Sequence, residues 1–267
     1  MSPGEIHFWL IERDQSADLA LLGSWLSASE RDRANRYKAR DRRDSFIYHR
    51  AIVRQILADY SGLMPANVPL TTSPTGKPLW NAPAGGRSLT FNLSHRSELA
   101  ILAVSRGRTI GIDLECEDVK TDYDAVARQM FSAREMTIYE RLSCNERPQA
   151  VLRAWTRKEA FLKAVGTGLN RPVAEIEVTF CEEQPPQLLA TSDLQQNAND
   201  WLLHSWSPRP GYVAAAAFYV AAAAFGRESD SPLFRYYSAA SIQESECVAA
   251  VNEAATAALH SYSTQEH

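Results

Sequence analysis

The chain has 267 residues and a net charge of −4, long enough for one large domain or two lobes sharing a core, and without the positive charge that would draw nucleic acid to it. Its four cysteines, Cys116, Cys144, Cys181 and Cys247, lie far apart with no C-x-x-C pair, so neither a zinc site nor a disulfide framework is suggested. With no charged and apolar leader after Met1, a reducing cytoplasm is expected. The most apolar stretch, Tyr212 to Phe225, holds eight alanines in fourteen residues, too short and too weakly hydrophobic to span a bilayer.

Ile6 to Ile11 reads as a first strand and Ser16 to Leu26 as a short amphipathic helix. From Arg31 to Arg54 nine Lys or Arg stand against three Asp on what reads as one long helix ending near Tyr60 at Ser61-Gly62. Such a basic face is either merely solvated, an anion site for a multiply phosphorylated ligand, or a docking face for an acidic partner. Thr71 to Pro78, with its Pro and Gly, is turn chemistry that carries Lys77. Ser88–Leu93 and Leu99–Val104 are expected strands joined by Ser94-His-Arg-Ser-Glu98, the second apolar throughout as a central strand is.

In Arg108 to Glu115, alternation puts Ile110, Ile112 and Leu114 on one strand face and Gly111, Asp113 and Glu115 on the other, with the two carboxylates about 7 Å apart. Two acids side by side repel unless a cation joins them. Glu117 to Asp124 is an acidic connector, Ala125 to Leu142 a helix-containing stretch, and Cys144 to Arg147 a polar break. No Gly or Pro interrupts Gln149 to Val165, whose Val151, Ala154, Phe161 and Val165 share one helical side. Trp155, Glu159 and Lys163 follow one another at i, i+4 and i+8 beside that stripe. Taken alone, Glu159 and Lys163 make a surface pair stabilising a helix by roughly 0.2–0.5 kcal/mol.

Ile176–Phe180, Gln187–Ala190 and Trp201–Trp206 read as later strands. Over Tyr212–Val220 alanine favours helix by propensity. From Gly226 onward Ser, Glu and Ala dominate, and Cys247, Val248, Val251, Ala255 and Leu259 trace a weak amphipathic helix with no chemistry assigned to it. An internal echo organises the whole: Leu26-Ser-Ala-Ser-Glu30 is answered by Phe131-Ser-Ala-Arg-Glu135, and Ser61-Gly-Leu63 by Thr167-Gly-Leu169. The common offset suggests two similar lobes, each with a Ser-x-x-Glu helix start and a helix closed by Gly, dividing near Arg106 to Thr109.

A Gly-Ile-Asp-Leu-Glu strand followed forty residues later by Trp155-Thr-Arg-Lys-Glu-Ala-Phe-Leu-Lys163 resembles the 4'-phosphopantetheinyl transferases, most closely their surfactin-synthetase-type, two-lobed monomeric branch. The resemblance covers roughly Phe8 to Phe225. It implies an α+β fold of two pseudo-two-fold-related lobes, each a small, mostly antiparallel sheet with packed helices, and an active site between them. The lobes would be 1–108 and 109–226, with 227–267 an extension of unknown role, and Tyr212–Val220 would be a strand.

The implied reaction is attack by a serine of an apo acyl or peptidyl carrier protein on coenzyme A, giving the holo carrier and 3',5'-ADP. The resemblance further implies Mg²⁺ held by Asp113, Glu115 and Glu159, with Lys163 and His95 at the phosphates. Phe91-Asn-Leu-Ser-His95 matches the motif that brings Ser94 and His95 to the pyrophosphate, Lys77 matches a Gly-Lys-Pro nucleotide contact, and Lys158 matches a position near the ligand. Glu135 and Glu159 are the two candidate bases. Ser45 stands where related sequences carry the Arg that grips the 3'-phosphate of coenzyme A, and Arg42 or Arg43 is the expected substitute. A Mg²⁺-dependent nucleotide phosphohydrolase using the same acids is the alternative, ahead of a nucleic-acid-binding module. No membrane partner is expected.

Overall fold

The computed structural model describes residues 1–2, 4–73, 77–81, 89–166, 172–193, 195–220 and 232–242. Its first half runs β1 (Glu5–Glu12), α1 (Leu19–Ser24), α2 (Ala28–Asn35), α3 (Arg40–Ser61), β2 (Leu70–Thr72), β3 (Pro78–Trp80), β4 (Thr90–Arg96) and β5 (Leu99–Ser105). The second runs β6 (Ile110–Cys116), α4 (Tyr123–Met130), α5 (Ala133–Tyr139), α6 (Arg147–Val165), β7 (Ile176–Val178), β8 (Leu188–Thr191), β9 (Trp201–Trp206) and β10 (Tyr212–Tyr219). Antiparallel pairing in the order β1-β5-β4 recurs as β6-β10-β9, and a small hairpin, β2-β3 or β7-β8, follows the long helix of each half.

Strand alternation builds the layers. One face of the first sheet (Ile6, Phe8, Leu99, Ile101, Ala103) meets one face of the second (Ile110, Ile112, Leu114, Ala214, Ala216, Phe218) in a central apolar cluster. The opposite faces pack on helices: Ile11, Ala100, Leu102 and Val104 with Ile52 and Ile56 of α3, and Ala215 and Ala217 with Ala160, Phe161 and Ala164 of α6. The alanine-rich run is therefore a central strand between β6 and β9. Burial on both faces outweighs a helix propensity worth only tenths of a kcal/mol per residue. Where the two sheets adjoin, the side chains of β4 reach β6: Asn92 Oδ1 accepts from the Ile112 N–H at 2.8 Å and Ser94 Oγ from the Leu114 N–H at 3.2 Å.

The basic segment is two helices rather than one. Ser27 and Glu30 form a reciprocal capping box that starts α2, and α3 begins afresh at Arg40. Glu30 then meets Arg50 Nε at 2.5 Å and Arg54 Nε at 2.7 Å. A continuous helix would hold Glu30 and Arg50 about 30 Å apart, so this buried ion pair requires the break. The second half repeats the device: Ser132 and Glu135 cap α5, and Glu135 meets Lys158 of α6 at 2.6 Å. Both long helices end on a left-handed glycine, Gly62 at φ 72° and Gly166 at φ 85°. Thr167-Gly168-Leu169, the expected closure of α6, lies outside the described residues.

Part of the supposed extension belongs to the first sheet. β11 (Leu233–Ser238) runs parallel to β1 along its outer edge. Its Tyr237 stacks on Trp9 with centroids 4.6 Å apart, and its Phe234 stacks on His204 of β9 at 4.3 Å. That strand covers an edge that would otherwise offer unpaired backbone groups. The helix expected from Cys247 to Leu259 lies outside the described residues.

Candidate active site

The site is set by how closely α6 lies on β6. A Cβ added at Gly111 would sit 2.1 Å from the Ala160 carbonyl oxygen and 2.4 Å from the Ala164 nitrogen, so only glycine admits the helix there. Gly111 shares its strand face with Asp113 and Glu115, and Ala160 and Ala164 each follow an acid or base of α6, Glu159 and Lys163. The contact thus brings together two charged pairs read from separate motifs.

Lys163 Nζ lies 2.5 Å from Asp113 Oδ1 and 3.1 Å from Ser94 Oγ, and the Ser94 hydroxyl donates to Asp113 Oδ1 at 3.0 Å. Around this triangle opens a cavity of about 350 Å³ lined by β4 (Leu93 to Arg96), β6 (Asp113 to Glu115) and Trp155, Glu159 and Lys163 of α6. Both halves of the chain therefore supply its walls. Trp155 is a wall of the cavity, as its place beside the apolar stripe implies.

The electrostatics are those of crowded acids. Burial, then the charges of Asp113 and Glu115, push the Glu159 carboxyl up to about 7, against the pull of Lys163. Burial and Asp113 likewise raise Glu115, opposed by Arg96, whose Nε lies 3.2 Å from Glu115 Oε2. Two carboxylate oxygens, Asp113 Oδ2 and Glu159 Oε1, are buried without a hydrogen-bond partner among the described residues, a costly state for an acceptor and more so for a charged one. His95 is open to solvent at the rim, yet the surrounding protein and the cations Lys163 and Arg33 hold its imidazole below the ordinary histidine value. Lys77 reaches from the first half to the end of α6, donating to the Lys163 carbonyl at 2.5 Å, and burial with the nearby Lys163 charge lowers it.

Of the residues expected at the site, Ser94, His95, Asp113, Glu115, Glu159 and Lys163 line this cavity. Glu135 and Lys158, expected as a base and a ligand contact, are not among the lining residues. Glu135 is 2% exposed, and its oxygens accept from Lys158 Nζ, the Ser132 N–H and the Val178 N–H. Lys158 is wholly buried and also donates to the Met130 carbonyl at 2.7 Å. At about 100° per residue, one step from Glu159 turns Lys158 away from the cavity.

Arg42 and Arg43 are exposed and absent from the cavity wall. Arg33 lies over the Phe46 ring at 5.2 Å, and its charge, after that of Lys163, acts on His95. Arg96 was likewise missed, although its place next to His95 on a strand end was the signal available for it. Among the described residues no three His, Cys, Asp or Glu side chains gather at metal-ligand spacing. In this structure Asp113 and Glu115 are paired with Lys163 and Arg96, while all three acids line the one cavity.

The chain is similar to known proteins along most of its length. Residues 109–217 match the 4'-phosphopantetheinyl transferase superfamily and residues 13–107 match 4'-phosphopantetheinyl transferase, N-terminal. The 4'-phosphopantetheinyl transferase HetI of a Nostoc species is 36% identical over 234 residues, covering 87% of this chain and 92% of its own. The 4'-phosphopantetheinyl transferase Sfp of Bacillus subtilis is 23% identical over 193 residues, covering 72% and 81%. A solved holo-(acyl-carrier-protein) synthase from Bacillus anthracis in complex with coenzyme A (3',5'-ADP) is 21% identical, spanning 42% of this chain and 94% of that one with a TM-score of 0.34.

Proposed function

The chain belongs to the 4'-phosphopantetheinyl transferase superfamily, enzymes that move phosphopantetheine from coenzyme A to a carrier protein, and from that membership we propose how its own residues carry the transfer. The acceptor is a serine hydroxyl of an apo acyl or peptidyl carrier. Its oxygen bonds to the phosphorus bearing pantetheine as the bond from that phosphorus to 3',5'-ADP breaks, and its proton passes to Glu159. Without the cation its carboxyl lies near 7, so at neutral pH it is about half ionised and is a stronger base than an ordinary glutamate. Glu135, with both oxygens committed inside the second half, is not a candidate.

The observation that carries the reading is the pair of buried carboxylate oxygens without a partner among the described residues, Asp113 Oδ2 and Glu159 Oε1, from two residues that line one cavity. With Glu115 they would supply an all-oxygen donor set of the kind hard divalent cations take, and among the described residues no soft ligand lines the cavity. A magnesium ion held there would supply positive charge to the pyrophosphate oxygens as the leaving group departs. Lys163 serves the same phosphates as a point charge and His95 as a donor at the rim. Ser94 holds Lys163 and Asp113 in register. Because the chain's own two halves complete the cavity, we take the active form to be a monomer of the two-lobed branch, its halves related by a pseudo-two-fold.

Incubation with coenzyme A and an apo-carrier tests this reading. The carrier gains one phosphopantetheine by mass, with one 3',5'-ADP released per carrier. Loss of coenzyme A with the carrier unlabelled would replace it with a phosphohydrolase.

A further inference from the structure

Three carboxylates and two cations line the cavity: Asp113, Glu115 and Glu159 against Arg96 and Lys163. Each cation is already engaged with an acid, Lys163 with Asp113 at 2.5 Å and Arg96 with Glu115 at 3.2 Å, while among the described residues Glu159 has no cationic partner within ion-pair distance and its Oε1 no hydrogen bond. The wall is thus formally one charge negative, the sign that repels a diphosphate. A divalent cation on the carboxylates turns the balance one charge positive, and it competes with Arg96 for the same Glu115 oxygens. Arg96 is the more accessible of the two cations, its side chain 45% exposed against 30% for Lys163. Its planar fork suits paired phosphate oxygens better than an ammonium does.

We propose that Arg96 is an exchanging ligand: it neutralises Glu115 until a divalent cation takes that carboxylate, and then binds a phosphate oxygen of coenzyme A. This rests on the metal and coenzyme A reading given above. The consequence is coupling, because the cation makes its own positive charge and also releases a guanidinium, so each ligand strengthens the binding of the other. A further consequence is opposite effects of one substitution on two ligands. Removing Arg96 frees Glu115 for the cation and removes a charge-assisted hydrogen bond from the diphosphate.

Calorimetric titration of the full chain, wild type and Arg96→Ala, with Mg²⁺ alone, with coenzyme A in chelator and with coenzyme A in saturating Mg²⁺, reads both effects without turnover. Expected for Arg96→Ala are Mg²⁺ binding about two- to fivefold tighter, the scale of a partly exposed ion pair, and coenzyme A binding at least roughly tenfold weaker. Arg96→Lys, which keeps the charge and loses the fork, should recover only part of the coenzyme A affinity. Unchanged binding of both ligands by Arg96→Ala would overturn the proposal, as would weaker coenzyme A binding with no gain for Mg²⁺. Wild type that binds coenzyme A equally well with and without Mg²⁺ would overturn the metal reading beneath it instead. Thermal melts that coincide for the three proteins keep a folding defect from imitating either result.

Discussion

Replacing Gly111 by alanine adds one methyl group at the point where α6 touches β6, and its cost follows from the contacts. The new Cβ would stand 2.1 Å from the Ala160 oxygen, where real Cβ contacts begin at 3.0–3.4 Å, so the helix must retreat by about 0.9–1.3 Å. Glu159 precedes Ala160 and Lys163 precedes Ala164, so both side chains move with the clashing backbone and the 2.5 Å Lys163–Asp113 pair opens. Overpacking of this kind costs roughly 1–3 kcal/mol of stability, and misplacing a catalytic group by about 1 Å lowers rate by roughly 10²-fold. The assay is the initial rate of phosphopantetheine transfer to an apo-carrier by mass spectrometry, beside circular dichroism and a denaturant melt. Gly23→Ala is the control, since its Cβ would meet nothing nearer than 4.0 Å. A folded Gly111→Ala protein keeping more than half the wild-type rate would refute the argument that this contact positions the site.

Burial places the folded Glu159 value near 7 against an ordinary 4.5. Stability from this group is therefore fully present below about 4.5 and lost as pH rises through about 7. Glu159→Gln should accordingly melt higher than wild type at pH 8 in chelator, with the difference shrinking at pH 5; equal melting temperatures at both pH values would show that the carboxyl is not strained by its neighbours. Glu135→Ala leaves Lys158 as a buried unpaired charge, a loss of roughly 3–5 kcal/mol in urea unfolding, whereas a stable variant with reduced kcat would return Glu135 to the list of bases. Arg42→Ala with Arg43→Ala should leave the KM for coenzyme A unchanged while Arg33→Ala raises it several-fold, and the reverse pattern would place the nucleotide on α3.

Much of the site was readable because it obeys local periodicity. Alternation in Ile110 to Glu115 alone put Asp113 and Glu115 on the face opposite the central core, and the helical repeat of Trp155, Glu159 and Lys163 put all three beside, rather than within, the apolar stripe. The paired Ser-x-x-Glu starts were visible as capping boxes, and both are formed. What was hidden depends on partners distant in sequence. The gap between α2 and α3 contains neither Gly nor Pro; it exists because Glu30 must return to Arg50 and Arg54. Glu135 and Lys158 carry charges that read as functional until their mutual burial, twenty-three residues apart, is known. Arg96 and Arg33 gain meaning only from what the fold sets beside them, Glu115 and His95. Strand β11 lies in a stretch whose Ser- and Ala-rich neighbours mask it, and its pairing edge, β1, is more than two hundred residues away in sequence.

The central claim, that Asp113, Glu115 and Glu159 of the second half act through a divalent cation, is tested most directly by one rate measurement. Transfer from coenzyme A to an apo-carrier is followed in excess chelator and again after Mg²⁺ is restored. No transfer in chelator and full recovery with Mg²⁺ is the result expected, and an undiminished rate in chelator would contradict the account.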